Sequence, residues 1–150
     1  MLTALLALLV ASRGANVSAS KDKCAQTAHM RIYSNAHLSE ETGDVVGYEL
    51  ALERRNESAV DALLYLYEGE AHDDGIHISG SISGKKLILN GSWVEHLIEY
   101  PAKKEVVQTH LVKIDGTLDS GSFPGRIIIE GLTPDNVRLK RVERIWVCKP

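Results

Sequence analysis

Six histidines are the side chains in this 150-residue sequence best suited to acid–base or metal chemistry. The densest group of possible metal ligands is His72-Asp73-Asp74, with His77 close behind it. Asp-Asp-Gly is also ordinary turn chemistry, and the spacing fixes no third ligand for a tetrahedral site. The sequence therefore predicts no metal site and no bound cofactor.

His110 is the histidine whose position is best defined by its neighbours. It shares its parity with Val106 and Val112, which predicts a side chain that points into the interior. An inward histidine can contact a ligand, or it can act as a general base beside a carboxylate such as Glu95 or Glu99. It can equally be a core residue that is hydrogen-bonded to a neighbour. We assign His110 to a candidate ligand-binding site.

No catalytic motif in the sequence is complete. The run from Gly80 to Gly84 has the glycines of a nucleophile elbow, but Ile82 stands where the nucleophile should be. The run from Gly80 to Lys86 is similar to a phosphate loop, yet its glycine spacing is one residue short and Lys86 replaces the hydroxyl residue. We therefore predict no catalytic residue, and an enzyme is the less favoured class.

Aromatic residues mark two further candidate surfaces. Trp93 shares its parity with Leu87 and Leu89, which places it inside, either as an apolar platform for a ligand or as a plug. Tyr65 and Tyr67 have the opposite parity to the leucines between them. If those leucines are inside, the tyrosines form an exposed stripe typical of an interaction face, and if another segment covers them they are core.

Basic residues cluster near the C-terminus of a chain whose net charge is −3, at Arg138, Lys140, Arg141, Arg144 and Lys149. Such a cluster could meet an anionic ligand, a lipid headgroup or an acidic partner, or it could be a solvated strand face. Both signs of charge are mixed along the rest of the chain. We therefore predict that nucleic acid is not a partner.

Most of the chain alternates apolar and polar residues with a period of two, as around Leu50 and Leu52, which is typical of strands with one buried face. The pattern predicts eight strands, at Met30–Ser34, Val45–Arg54, Ala59–Glu68, Gly75–Ser83, Leu87–Tyr100, Glu105–Leu118, Ser122–Glu130 and Val137–Val142. A ninth segment, Arg144–Cys148, could pair with the first strand, and Glu40–Asp44 could form a helical turn. Asn90-Gly91 is a hairpin signal that could divide the fifth strand.

Two segments repeat one another, Ile78-Ser79-Gly80-Ser81-Ile82 and Ile114-Asp115-Gly116-Thr117-Leu118. Each places a glycine at an inward position of a strand, which allows the sharp bend that curls a sheet. We therefore predict an all-β fold, an antiparallel up-and-down meander of about eight strands that closes, or nearly closes, into a small barrel. A two-sheet β-sandwich is the alternative.

These repeated hydrophobic-x-Gly hairpins resemble those of small meander barrels in the broad lipocalin- and avidin-like class. The resemblance lies in the spacing of apolar residues, glycines and turns, and it covers most of the chain after the leader. The short N-terminal Gly-x-Trp signature of lipocalins has no match, because Trp93 and Trp146 fall late in the chain. The resemblance implies a pocket at one end of the barrel and transfers no functional residue.

The beginning of the sequence fits a cleaved export signal. An apolar run from Leu2 to Val10 is far shorter than the roughly 20 residues needed to span a bilayer. Small residues follow and end in Val17-Ser18-Ala19, which suits cleavage after Ala19. We predict a signal peptide over residues 1–19 and a single β domain over residues 20–150, with no membrane span and a periplasmic or secreted location.

Only two cysteines occur, Cys24 and Cys148, at opposite ends of the predicted mature chain. In an oxidising compartment they predict one disulfide that ties the two termini together. Two sequons, at Asn56 and Asn90, would be glycosylated only in a host that has this chemistry.

The sequence supports three functional hypotheses. The first is a non-enzymatic barrel that binds a small apolar or amphipathic ligand at its mouth, beside Trp93 and His110. The second is a protein-interaction module or inhibitor that uses outer strand faces, with Tyr65, Tyr67 and the basic C-terminal segment. The third is an enzyme that pairs His110 with a carboxylate. A cavity beside Trp93 would favour the first, a filled barrel the second, and a His–carboxylate pair inside a cleft the third.

Overall fold

A computed structural model describes residues 22–69, 75–99 and 101–149 of the chain. Residues 22–27 are helical. The strands are β1 (Arg31–Ser34), β2 (His37–Leu38), β3 (Val45–Arg54), β4 (Ala59–Gly69), β5 (Ile76–Ser83), β6 (Lys86–Glu99), β7 (Lys104–Thr117), β8 (Ser122–Ile129) and β9 (Asp135–Val142). The predicted signal peptide over residues 1–19 lies outside the described residues. Within them, no helix is long and apolar enough to cross a membrane.

The strands form one closed antiparallel barrel. They pair in the order β1-β9-β8-β7-β6-β5-β4-β3-β2, and β1 also pairs with β3, so that eight strands close and β2 is an addition to β3. Closure removes the exposed edges of an open sheet. The predicted barrel is therefore confirmed, and the alternative of a two-sheet sandwich is wrong.

Local details confirm the single long fifth strand and differ from the sequence-based predictions in two other places. Strand β6 runs unbroken through Asn90-Gly91, because both residues pair with β5 on one side and β7 on the other. Residues 40–42 form a turn instead of a helix. The predicted ninth strand at 144–148 is wrong, since a single 3-10 turn, Trp146–Cys148, lies there instead.

The barrel interior is filled by side chains. Inward positions alternate along every long strand, and Leu87, Leu89, Ile114, Phe123 and Leu139 have no solvent exposure at all. Tyr33 also lies inside, where its hydroxyl donates to the carbonyl of Asp119 over 3.3 Å. An eight-stranded barrel has an interior just wide enough for side chains to fill.

Glycines allow this barrel to curl at the two positions that the repeat indicated. A Cβ at Gly80 would overlap the backbone carbonyl oxygen of Ile88 on β6. A Cβ at Gly116 would lie 2.6 Å from the carbonyl oxygen of Pro124 and 2.7 Å from the Phe123 ring. At both positions the neighbouring backbone approaches too closely for any side chain.

A second apolar cluster lies outside the barrel wall. It contains Tyr65 and Tyr67 of β4, which are only 3% and 2% exposed, and it is capped by Ile145 from the C-terminal segment. The expectation of an exposed stripe at these tyrosines is therefore wrong. The alternative arrangement, in which another segment covers them, is the one that forms.

The termini are joined where this second cluster ends. Cys24 and Cys148 lie at disulfide-bonding distance with their Cα atoms 5.7 Å apart, across a sequence separation of 124 residues. The bond fastens the C-terminal segment to the helical residues 22–27, as the cysteine count predicts. A loop of this length carries an entropic stabilisation of about 5 kcal/mol in the chain-entropy model.

A buried carboxylate holds the C-terminal segment against the wall. Glu49 of β3 has no solvent exposure, and its Oε2 accepts hydrogen bonds from the Tyr67 hydroxyl at 2.5 Å and from the Trp146 N–H at 2.7 Å. Burial, together with the bond to Glu49, raises the pKa of Tyr67 above its ordinary value. The protonated Tyr67 hydroxyl therefore stabilises the folded state. Its contribution is fully present below the ordinary tyrosine pKa of about 10 and is lost as the pH rises through the raised pKa.

Replacing either inward glycine should overfill the wall. We expect Gly80→Ala and Gly116→Ala each to lower the free energy of unfolding by about 1–3 kcal/mol, because the backbone of a neighbouring strand must move. Urea denaturation measures the change. Gly121→Ala is the matched control, since nothing lies within 4 Å of its added Cβ. Equal stability of all three variants would contradict the close-approach explanation.

Removing the buried carboxylate should loosen the C-terminal segment. Glu49→Ala leaves the Tyr67 hydroxyl and the Trp146 N–H without their acceptor, which should cost about 2–4 kcal/mol of unfolding free energy. Glu40→Ala, on an exposed turn, should change it by less than about 0.5 kcal/mol. Chemical denaturation of both variants, with the disulfide intact, measures the two losses of unfolding free energy. Similar losses in Glu49→Ala and Glu40→Ala would refute the proposed role of Glu49.

Candidate functional site

Two strands of the barrel are much longer than their neighbours. β6 and β7 have 14 residues each, whereas β5 and β8 have 8. Pairing of β6 with β5 reaches only Gly91, and pairing of β7 with β8 begins only at Val112. Within the described residues, no third strand pairs with residues 92–99 and 104–111, although the Leu111 carbonyl accepts a hydrogen bond from the Glu130 N–H at 2.8 Å. These residues form a two-stranded extension roughly 26 Å long that we call the β6–β7 ribbon.

The ribbon carries most of the exposed apolar side chains. Seven large hydrophobic residues are exposed in the described part of the chain, and five of them lie on the ribbon, at Val94, Leu97, Ile98, Val107 and Leu111. Ile98 and Leu111 are 64% and 63% exposed. None of the ribbon residues is buried. Such a concentration on one element is typical of an interaction site.

One face of the ribbon alternates exposed apolar and polar side chains. The strand register places Val94, Ile98, Val107 and Leu111 on the same side, which we call the outer face because it continues the outside of the barrel wall. His96 and Glu105 lie among them and pair through Nδ1 and Oε1 at 2.7 Å. Ser92 and Thr109 share this face, so four large apolar side chains lie among two small hydroxyl residues and one His–Glu pair.

The opposite face of the ribbon contains the two predicted ligand-binding residues. Trp93 and His110 are direct cross-strand partners, with ring centroids 5.2 Å apart. Trp93 is half-buried and packs against the interior cluster at this end of the barrel. The structure thus brings together the pair that parity placed inside, at the base of the ribbon.

Both ring nitrogens of His110 are engaged. Nδ1 donates to the carbonyl of Glu130 at 2.9 Å, and Nε2 lies 3.1 Å from Oε2 of Glu95. The contact between Nε2 of His110 and Glu95 is a hydrogen bond in either of two forms: a protonated imidazole donates to the carboxylate, or a protonated carboxyl donates to the neutral imidazole. Because Glu130 follows β8, the first bond ties the ribbon to the barrel rim.

The His110–Glu95 pair could move a proton, as the enzyme hypothesis requires. On this face of the ribbon, however, the neighbouring side chains are Trp93, Leu97, Val106 and Gln108, and none is a hydroxyl or thiol nucleophile. The pair also lines neither of the two clefts described below. Its geometry is that of an anchor between the ribbon and the rim.

A polar cleft of about 470 Å³ lies on the outside of the barrel. Its lining includes His29, Glu53, Asp61, His77 and Asn90. His29 Nε2 and a Glu53 oxygen are 3.3 Å apart. Within the described residues, no three histidine, cysteine or acidic side chains are grouped to hold a metal ion. The other candidate ligands, at 72–74, lie outside those residues.

A second cleft of about 310 Å³ lies at the barrel end remote from the ribbon. Its lining includes the apolar residues Leu52, Val60 and Ile82, each almost fully buried, and the exposed basic residues Arg31 and Arg54. Glu53 also lines this cleft, so its two guanidinium groups exceed its carboxylates by one. An apolar floor with this small excess of positive charge suits a small amphipathic anion.

Sequence reasoning located Trp93 and His110 but missed the outer face of the ribbon. A signal was present, because the run around Leu97-Ile98 and the run Val106-Val107 are apolar at both parities. A strand that is apolar on both faces is buried on both faces or is covered by a partner. The sequence alone did not show that β5 and β8 stop before these runs.

Loss of the His110 anchor should loosen the ribbon without unfolding the barrel. In His110→Ala we expect amide exchange over residues 105–109 to accelerate about fivefold or more, because one net hydrogen bond contributes about 1 kcal/mol. Hydrogen exchange read by mass spectrometry measures this. His77→Ala, on an exposed position of β5, should leave the ribbon unchanged. Equal exchange in both variants would contradict the anchoring role.

Comparison of the chain with protein-family models, with curated proteins and with solved structures finds no match. No residue role can therefore be transferred to this chain from another protein. The two most prominent features of the molecule itself are the packed barrel interior and the exposed apolar side chains on the outer face of the β6–β7 ribbon.

Proposed function

We propose that this chain is a protein-interaction module that binds its partner through the β6–β7 ribbon. The observation that supports this most directly is the concentration of exposed apolar side chains on the ribbon, led by Ile98 and Leu111. Burying such side chains against a partner gains roughly 25 cal/mol for each Å² removed from water. The filled interior favours this hypothesis over a ligand held within the barrel.

The edges of the ribbon add a second means of recognition. Along residues 92–99 of β6 and 104–110 of β7, alternate backbone N–H and C=O groups point away from the paired strand. Within the described residues, no third strand pairs there. An extended partner segment could extend the ribbon by β-augmentation, with backbone hydrogen bonds for affinity and side chains for specificity.

Export of the chain belongs to the same proposal. The cysteine pair at Cys24 and Cys148 is what an oxidising compartment would produce, and it supports a periplasmic or extracellular module. The leader over residues 1–19 stays a prediction from the sequence. The partner would then be another protein of the envelope or the medium, or a second copy of this chain.

A second candidate function is supported by the cleft at the remote barrel end. Its apolar floor with Arg31 and Arg54 above it would suit a small amphipathic anion, which keeps the ligand-binding hypothesis but moves the site away from Trp93. The volume of about 310 Å³ is at the lower limit for small-molecule sites. We rank it below the ribbon for that reason.

Site-specific photocrosslinking tests the proposed function. A photoreactive amino acid at Val107 on the outer face should give a discrete protein adduct in the envelope or medium of the producing organism. The same group at Ser81, exposed on the outside of β5, should not give it. Once the partner is identified and purified, Leu111→Glu should weaken its binding at least about tenfold, because a charge replaces a central apolar contact.

Two results would contradict the proposal. One is the same set of adducts from Val107 and Ser81, or no adduct at Val107. The other is a reproducible small-molecule mass on the gently purified protein in native mass spectrometry, lost in Arg31→Ala, which would support the second candidate. An adduct of twice the chain mass would identify a second copy as the partner.

A further inference from the structure

Four basic side chains form a line across the outside of the barrel wall. They are Lys113 on β7, Arg126 on β8, and Arg138 and Lys140 on β9, and all four are exposed. The strand register places each of them on the outward side, since Ile114, Ile127 and Leu139 point inside. We call this set the basic diagonal. The sequence indicated only its last two members.

The spacing along the basic diagonal is regular. Lys113 pairs with Ile128, so Arg126 is its diagonal neighbour on β8, and Arg138 is in turn the diagonal neighbour of Arg126 on β9. Diagonal neighbours in a sheet lie about 7–8 Å apart. Arg138 and Lys140 are two residues apart on one strand, which is roughly 7 Å. An extended polypeptide repeats its alternate side chains at this same interval.

The charge of the basic diagonal is not neutralised by the protein itself. Within the described residues, none of its four members forms a salt bridge. Two carboxylates lie near these four cations: Asp115 is opposite Arg126, and the exposed Glu130 lies beside Leu111, two residues beyond the partner of Lys113. Adjacent outward positions on β6, at Ile88 and Asn90, are uncharged. The face therefore keeps an excess of positive charge in a chain whose net charge is −3.

The basic diagonal is continuous with the outer face of the ribbon. Lys113 follows Leu111 by two residues on the same strand and the same side. A ligand lying along both surfaces must offer apolar groups first and negative charges next. A polypeptide can offer both, whereas a sulfated glycan lacks the apolar part. Glu105 and His96 among the apolar residues also disfavour insertion into a lipid surface.

We infer that the basic diagonal binds an extended acidic segment of the partner, with carboxylates at alternate positions. This inference rests on the proposed function, because it assigns the chemistry of the partner segment that continues beyond the ribbon. Charge pairing of this kind mainly guides encounter and register, and the apolar ribbon supplies most of the affinity. Binding should weaken as salt concentration rises, because the cations are exposed.

Two fluorescent peptides of identical composition test this inference. One alternates Glu with Thr, and the other carries the same glutamates in a single block. By fluorescence anisotropy at low salt, the alternating peptide should bind several-fold more tightly. Arg126→Ala/Arg138→Ala should weaken it about fivefold to tenfold, in line with exposed ion pairs. Lys86→Ala/Arg144→Ala changes the net charge equally away from the diagonal and should weaken it less than about twofold.

The inference is overturned if the two peptides bind alike, if both double variants lose affinity equally, or if the alternating peptide does not bind. Binding of phosphatidylglycerol vesicles in its place, with the same dependence on Arg126 and Arg138, would assign the diagonal to a lipid surface and also overturn it. The peptides do not need the ribbon. If the alternating peptide binds but Val107 gives no adduct, the proposed function alone is refuted. If Val107 gives an adduct but the alternating peptide does not bind, the role of the basic diagonal alone is refuted.

Discussion

The unequal length of neighbouring strands is the constraint on which the rest of this structure depends. A strand in a closed barrel pairs on both sides only as far as its neighbours extend, and the neighbours of β6 and β7, β5 and β8, have 8 residues each. β6 and β7 have 14, so their surplus has no neighbour within the described residues and extends beyond the rim as a two-stranded ribbon. The apolar side chains on that surplus stay in water unless a partner covers them.

Outside the ribbon, the described residues expose only two large hydrophobic side chains, Leu38 and Leu132. The interior is filled by residues such as Phe123 and Leu139, and the outer wall at Tyr65 and Tyr67 is covered by the C-terminal segment. The cysteine pair and the buried Glu49 hold that segment in place. Two separate clusters thus satisfy the hydrophobic positions of most strands. The outer face of the ribbon is the exception, which is why it draws a functional interpretation.

The outer face of the ribbon and the basic diagonal would contribute differently to recognition of a partner. Leu111 and Lys113 occupy successive outward positions of β7, and the character of the surface changes from hydrophobic to cationic between them. Burial of apolar area gives affinity without direction, whereas spaced charges fix the register of a bound segment. Recognition of one partner by both would link binding strength to sequence specificity.

The barrel could be predicted because its signals are local. Alternation around Leu87 and Leu89 identified inward positions, and Gly80 and Gly116 indicated curvature, since each signal needs only a few adjacent residues. The burial of Tyr65 could not be predicted in the same way, because its cover, Ile145, lies 80 positions later in the chain. The ribbon likewise depends on where β5 and β8 end relative to β6 and β7. Relative strand ends are set by the whole barrel and are not encoded in any one segment.

Shortening the ribbon would test most directly whether its residues are surplus to the fold, as the account of unequal strand lengths requires. In a trimmed chain, an Asn-Gly turn joins Trp93 to His110 and replaces residues 94–109. Its free energy of unfolding in urea should stay within about 1.5 kcal/mol of the intact protein, because none of the described side chains among those removed is buried in the barrel. A loss of several kcal/mol, or failure to fold cooperatively, would show that the ribbon is part of the core and would contradict this account.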